Sequence, residues 1–180
     1  MILIGFMGAG KTTIGKNLSD TLKKPFYDLD YEIIKEINMP ISEYFSTFGE
    51  QMFRDIEVKY LSKYSIVPAI ISTGGGCIET KTNRELLSNR NDVIYLKADF
   101  DVLFDRIQND PINLRPTAKN KSFKELEAVY TKRAQYYEQC SDYMINTSNK
   151  SIDDIIKEII IHFSFDDKRN QIIKDRSILY

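Results

Sequence analysis

Gly5-Phe6-Met7-Gly8-Ala9-Gly10-Lys11-Thr12-Thr13 decides how this chain is read. The stretch fits G-x-x-x-x-G-K-[ST], the phosphate-binding P-loop between a strand and a helix. Its flanks agree with the motif. Met1-Ile2-Leu3-Ile4 is a short apolar run, the pattern of a buried strand, and Ile14, Leu18 and Leu22 recur afterwards at helical spacing. Glycines let backbone N–H groups close around an anion. The helix that follows adds its own free N–H groups and the positive end of its dipole. Gly8, Ala9, Gly10, Lys11, Thr12 and Thr13 are therefore the expected triphosphate cradle. Lys11 is expected to reach the β- and γ-phosphates, and the Thr12 hydroxyl to hold Mg²⁺.

The 180 residues suffice for one domain with its own core. With 42% hydrophobic and 28% charged residues, the balance is that of a globular chain. A net charge of −1 gives no global field to draw nucleic acid or an anionic membrane, and no basic patch is interleaved with aromatics. The two cysteines, Cys77 and Cys140, form no CxxC pair, so neither a cysteine metal site nor a disulfide framework is expected, which suits a reducing cytoplasm. No targeting segment is expected, and the apolar runs are too short to cross a bilayer. With no large apolar stripe evident, a monomer is the expectation.

Strands and helices alternate along the chain. Strands are expected at 1–4, 26–30, 69–72, 93–96 and 143–146. Between them, helices are expected after the P-loop through Ile14, Leu18 and Leu22, at 31–38, through Phe48 behind a Ser42 cap, at 50–64, 82–89, from Asp99 onward, and at 122–138. Ser151 and Asp154 open a last helix that should end near Phe163. Residues 109–121 are polar, carry Pro111 and Pro116, and read as a long loop. After Ser164 the composition turns charged and weakly patterned, although Ile172-Ile173 and Ile178-Leu179 could pack a last helix, so residues 1–163 form the expected domain and 164–180 a tail with no assigned role. Alternating elements imply an α/β fold: a five-stranded parallel sheet, helices on both faces and right-handed crossovers. Ligands should gather outside the carboxyl ends of the strands. The P-loop, Asp28 with Asp30, Gly74–Gly76 and Asn146–Asn149 would then share one edge.

Asp28 and Asp30 flank Leu29 at the expected end of the second strand, where i and i+2 point to one side. Two carboxylates so close call for a cation or a substrate hydroxyl. One could orient Mg²⁺ through water while the other accepts the proton of an attacking alcohol. Arg54 is either a solvated helix residue or a two-pronged grip on a carboxylate. Gly74-Gly75-Gly76 reads as backbone that approaches a ligand closely, with a plain turn as the alternative. Arg115 lies in the long loop, where a lid arginine could stabilise a transferring phosphoryl group. Arg106 faces either nucleotide or solvent, and Arg133 is a dipole partner or a second anion clamp. His162 and the eleven tyrosines read as packing, and Cys77 as the filler of a small space.

Taken together, these motifs resemble the shikimate kinases. The resemblance rests on Gly8-Ala9-Gly10-Lys11-Thr12-Thr13, Asp28-x-Asp30, Phe53-Arg54-x-x-Glu57, Ser72-Thr73-Gly74-Gly75-Gly76, Leu114-Arg115-Pro116 and Arg133-x-x-x-Tyr137, in that order over residues 1–163. It implies a P-loop kinase fold of the nucleoside monophosphate kinase type, strand order 2-3-1-4-5, with a lid loop. It implies transfer of the ATP γ-phosphoryl group to the 3-hydroxyl of shikimate, in the pathway to chorismate and the aromatic amino acids. Asp30 would bind the substrate hydroxyls and act as base, and Asp28 would support Mg²⁺ through water. Arg54 and Arg133 would clamp the shikimate carboxylate, Gly75 and Gly76 would present backbone to it, and Arg115 would reach ATP, with Arg106 and Asn146–Asn149 on the adenine side. The lid departs from the family, which continues Arg-Pro-Leu-Leu where this chain has Arg115-Pro116-Thr117-Ala118. A gluconate-type or nucleotide kinase of the same fold is the neighbouring alternative. A nucleotide-dependent switch is a more remote one, because Asn149-Lys150-Ser151-Ile152 lacks the aspartate that reads guanine.

Overall fold

The computed structural model describes residues 1–109 and 121–177, and side chains as far as residue 164. Strands β1 (Ile2–Ile4), β2 (Phe26–Asp28), β3 (Ile70–Ser72), β4 (Val93–Lys97) and β5 (Tyr143–Asn146) form one parallel sheet in the order β2-β3-β1-β4-β5. Leu3 is in register with Ser72 on one side and Ile94 on the other. Successive residues of a strand point to opposite faces. Ile2, Leu3 and Ile4 are all fully buried, as are Ile70 and Ile71, so both faces of the central strands are covered. That is why these strands read as unbroken apolar runs.

The helices are α1 (Lys11–Leu22), α2 (Leu29–Ile37), α3 (Ile41–Phe48), α4 (Glu50–Ser65), α5 (Lys81–Ser88), α6 (Phe100–Asn109), α7 (Phe123–Gln139) and α8 (Ile152–Ser177). Helix α1 packs on β2 and β3 and against α8, while α4 packs against α5 and α6 against α7. Gly15 lets α1 lie close to the sheet, because a Cβ there would run into the Phe26 ring. Helix α7 opens with a full capping box: Ser122 accepts from the Glu125 N–H, and the Glu125 carboxylate accepts from the Ser122 N–H at 2.8 Å.

Three expectations are corrected. The second strand stops at Asp28, and Leu29 and Asp30 already belong to α2. Asp28 is the N-cap of that helix, its carboxylate accepting from the Tyr31 N–H. The two aspartates therefore share a site through a strand-to-helix turn, not through strand alternation. Ser42 does not cap α3, which starts at Ile41 behind Pro40. Helix α8 does not end near Phe163 but runs on to Ser177. Residues 151–177 contain neither glycine nor proline, so nothing in the local sequence breaks it.

Candidate active site

The P-loop emerges from β1 and feeds α1 through Gly10, which adopts φ 85, a left-handed conformation that favours glycine. Lys11 is buried, and its Nζ donates to the carbonyls of Gly5 (2.8 Å) and Phe6 (3.0 Å), so the cation is folded back over the loop. The Thr12 hydroxyl donates to Asp28 Oδ2 at 2.6 Å. Both are hard oxygen donors, and they meet beside the phosphate loop. That donor set fits a Mg²⁺ ion that keeps most of its shell as water and phosphate oxygen. Among the described residues no cluster of three or more His, Cys, Asp or Glu side chains offers an all-protein cage.

A cavity of about 380 Å³ opens here, lined by residues 7–14 together with Asp28, Asp30 and Arg106. Arg106 donates to the carbonyls of Gly8 (3.3 Å) and Thr147 (3.1 Å), pinning the P-loop to the turn after β5. Thr147, Ile152 and Ile155 complete that end of the cavity. The apolar pair from α8 is a contribution the sequence did not single out.

Gly74, Gly75 and Gly76 form a wall that adjoins this cavity at Asp30 and at the P-loop backbone. A Cβ on Gly74 would collide with Asp30 Oδ1 and lie 2.8 Å from Glu57 Oε1. One on Gly76 would lie 2.6 Å from Arg54 Nη2. One on Gly75 would lie 3.2 Å from the Met7 backbone nitrogen. The triplet thus makes room for the charged groups of the site and for the P-loop itself, a more specific reason than flexibility.

Arg54 is not a solvated helix residue: it is 8% exposed. Nη1 donates to Glu57 Oε2 at 2.5 Å, Nη2 donates to Glu50 Oε1 at 2.6 Å, and the guanidinium lies over the rings of Phe45 and Phe53. Burial alone would depress its pKa, but the Glu57 and Glu50 carboxylates outweigh it and hold the guanidinium charged. Glu57 is pushed up to about 7 by burial, with the charge of Asp30 adding and that of Arg54 opposing. Arg133 is equally buried, so it is no surface dipole partner. Its Nε donates to Glu79 Oε1 at 2.7 Å and its Nη1 to the Gly75 carbonyl at 3.4 Å. Burial raises the Glu79 carboxyl, but the hydrogen bond and charge of Arg133 outweigh this and leave it below its ordinary value. Tyr137, one turn beyond Arg133, donates to the same Gly75 carbonyl at 2.5 Å.

Of the residues picked out from sequence, Gly8–Thr13, Asp28, Asp30 and Arg106 share the cavity, and Arg54, Arg133, Gly75 and Gly76 form the adjoining wall. Arg115, with Pro111, Pro116, Thr117 and Ala118, lies outside the described residues. Glu50 and Glu79, which hold the two buried arginines, were not picked out. Cys77 is fully buried and its thiol is raised well above its ordinary value by burial, so it fills space. His162 stacks on Tyr143 at 3.7 Å between ring centroids.

A P-loop beside Asp28 and Asp30, adjoined by a wall that carries two buried arginines, defines a P-loop phosphotransferase whose acceptor is a small molecule. Comparison with known proteins narrows that class. The family model for shikimate kinase matches residues 7–164. The shikimate kinase of Enterococcus faecalis is 44% identical over 160 residues, covering 89% of this chain and 95% of the relative. Two solved structures agree: shikimate kinase from Acinetobacter baumannii in complex with shikimate (30% identity, TM-score 0.78, 91% of this chain and 92% of that one), and shikimate kinase from Bacteroides thetaiotaomicron (31%, 0.82, 91% and 97%). The chain belongs to the shikimate kinase family.

Proposed function

We propose that this chain phosphorylates the 3-hydroxyl of shikimate with ATP, giving shikimate 3-phosphate and ADP on the route to chorismate. The observation that carries the reading is the placement of Asp30 between the P-loop and the Gly74–Gly76 wall, with two buried arginines on that wall. An acceptor held there by its carboxylate, on Arg54 and Arg133, directs its ring hydroxyls toward Asp30. Gly75 and Gly76 leave the acceptor only backbone to pass.

In the reaction, the acceptor oxygen attacks the γ-phosphorus. The new O–P bond forms as the bond from γ-phosphorus to the bridging oxygen breaks, and the hydroxyl proton goes to the Asp30 carboxylate. Lys11 leaves the Gly5 and Phe6 carbonyls for the β- and γ-phosphate oxygens, exchanging two carbonyl acceptors for charged ones. Gly8 to Thr13 wrap the phosphates, and Arg106 bounds the nucleotide end. Arg115 serves as the lid arginine. Thr12 and Asp28 would hold Mg²⁺, Asp28 through water, and the ion would supply charge neutralisation on the phosphates. Residues 1–163 carry this activity, and the chain works as a cytoplasmic monomer without nucleic-acid or membrane partners. Among the described residues no helix is long and apolar enough to cross a membrane.

The test is direct. Purified protein with ATP and Mg²⁺ releases ADP when shikimate is added, and remains at background with gluconate or nucleoside monophosphates. Release that shikimate fails to stimulate overturns the acceptor assignment and leaves the phosphate cradle standing.

A further inference from the structure

Arg54 is held by two carboxylates of different character. Glu57, three residues on, is 4% exposed and fixed to Nη1 inside the wall. Glu50, four residues back, takes the other edge: its Oε1 accepts from both Nη2 (2.6 Å) and Nε (3.2 Å). The Glu50 side chain is 62% exposed. It is the first residue of α4, directly after Gly49, which has φ 85 and ψ 161 and nothing within 4 Å of where a Cβ would stand. One carboxylate on Arg54 is therefore built in, and the other is on the solvent side, at a helix end, next to a glycine with open space around it.

The Nε/Nη2 edge is one a guanidinium uses to grip an incoming carboxylate side-on. An acid acceptor entering from solvent finds that edge occupied by a carboxylate already. We propose that Glu50 is an internal stand-in for the acceptor's carboxylate: it caps Arg54 while the acceptor site is empty and is displaced when the acceptor binds. This rests on the reading of Arg54 as a carboxylate clamp.

The exchange replaces one carboxylate by another, so the buried guanidinium keeps a counter-charge throughout and the desolvation penalty of an unpaired cation is never met. It also sets a threshold for entry. A simple acid gains only the Arg54 contact it takes from Glu50. An acceptor that adds contacts at Arg133 and Asp30 gains more than it displaces. Glu50 thus lowers the affinity for every acid by a similar factor, a penalty that an acceptor with further contacts at Arg133 and Asp30 offsets and a bare carboxylate does not.

The test is a set of kinetic constants on the full chain. Glu50→Gln keeps the side-chain length and removes the charge, and Glu50→Ala removes the group. In both, KM for shikimate falls about threefold, the size expected of a largely exposed ion pair. Inhibition by benzoate, a bare carboxylate, strengthens by a similar factor, while KM for ATP is unaltered and kcat stays within about twofold. In an Arg54→Lys background, which lacks the two-nitrogen edge, the Glu50 substitutions lose their effect on KM. If KM for shikimate rises in both Glu50 variants, Glu50 supports Arg54 and the proposal is overturned; an unchanged KM overturns it equally. If Arg54→Lys alone leaves KM for shikimate at the wild-type value with thermal midpoint preserved, it is the clamp reading of Arg54 that fails, a result distinct from either Glu50 outcome.

Discussion

Asp30 is the second residue of α2, two positions beyond its N-cap Asp28, with its carboxyl against Gly74 and its charge felt by Glu57. A carboxylate in a helix's first turn is stabilised by the helix dipole. In the proposed role it accepts the proton of a hydroxyl held in front of it. Asp30→Asn keeps shape and hydrogen bonding and removes the base. The proposed role predicts a fall in kcat of about a hundredfold or more. KM for ATP should change little, because the cradle is built from residues 8–13 on a different element. Near-normal turnover in a folded Asp30→Asn protein removes Asp30 from the base role. Glu79 belongs to the same scale: by accepting from Arg133 Nε at 2.7 Å it fixes which edge of that guanidinium faces the wall.

Two helices carry the proposed acceptor half, α2 with Asp30 and α4 with Arg54 and Glu57, and polar clasps tie them together. Tyr60 donates to Glu36, and Tyr64 donates to Glu32 at 2.8 Å. The glycine wall lies against both helices, through Asp30 from α2 and through Arg54 and Glu57 from α4, so it tolerates no added atoms. Gly76 has φ −95, which any residue adopts, so Gly76→Ala tests space alone. The methyl must displace the Arg54 guanidinium, and the overpacking is expected to cost about 1–3 kcal/mol of stability. KM for shikimate should rise well above any change in KM for ATP; equal changes in both would mean the wall does not serve the acceptor side specifically. The P-loop was legible because its chemistry is contiguous in sequence, and the strands because burial on both faces leaves unbroken apolar runs. The turn at Asp28 was misread because no glycine or proline marks the passage from β2 into α2. The Glu79–Arg133 pair spans 54 positions, a separation at which local pattern carries no signal, and Glu50 looks from sequence like any acidic first-turn residue. The length of α8 is not legible from composition: the chain turns charged after Ser164, but with no glycine or proline to interrupt it the helix continues to Ser177.

At the scale of the whole molecule, the sheet order brings the ends of β1, β2 and β3 side by side and so gathers Lys11, Asp28, Asp30, Arg54, Glu57 and Arg133 around the Gly74–Gly76 turn. Concentrating charge in a buried place has a cost in stability, and its pH dependence identifies which group bears it. Burial raises the Glu57 carboxyl from its ordinary 4.5 to about 7, Asp30 adding to the effect and Arg54 opposing it. Between those values the folded chain binds more protons than the unfolded chain. Stability therefore falls as pH rises through this window, by at most about 1.4 kcal/mol per pH unit for one group. This contribution is fully present below 4.5 and lost above 7. Other groups act with the opposite sign elsewhere. The Met1 amine is lowered from 8.0 by burial, so its contribution is present above pH 8 and is lost as pH falls through the lowered value. Burial raises both Glu79 and Asp92, but Arg133 outweighs it at Glu79, and Arg90 with the Met1 amine, both ion-paired to Asp92, outweighs it there; both carboxylates contribute above the ordinary carboxylate range and lose that contribution in acid. Comparing wild type with Glu57→Gln isolates the one group. The difference in unfolding free energy between the two proteins, followed by denaturant titration across this range, should shift steadily toward Glu57→Gln as pH rises from about 4.5 to 7. A pH-independent difference would mean that Arg54 keeps Glu57 ionised throughout, so that the pair titrates only below this range.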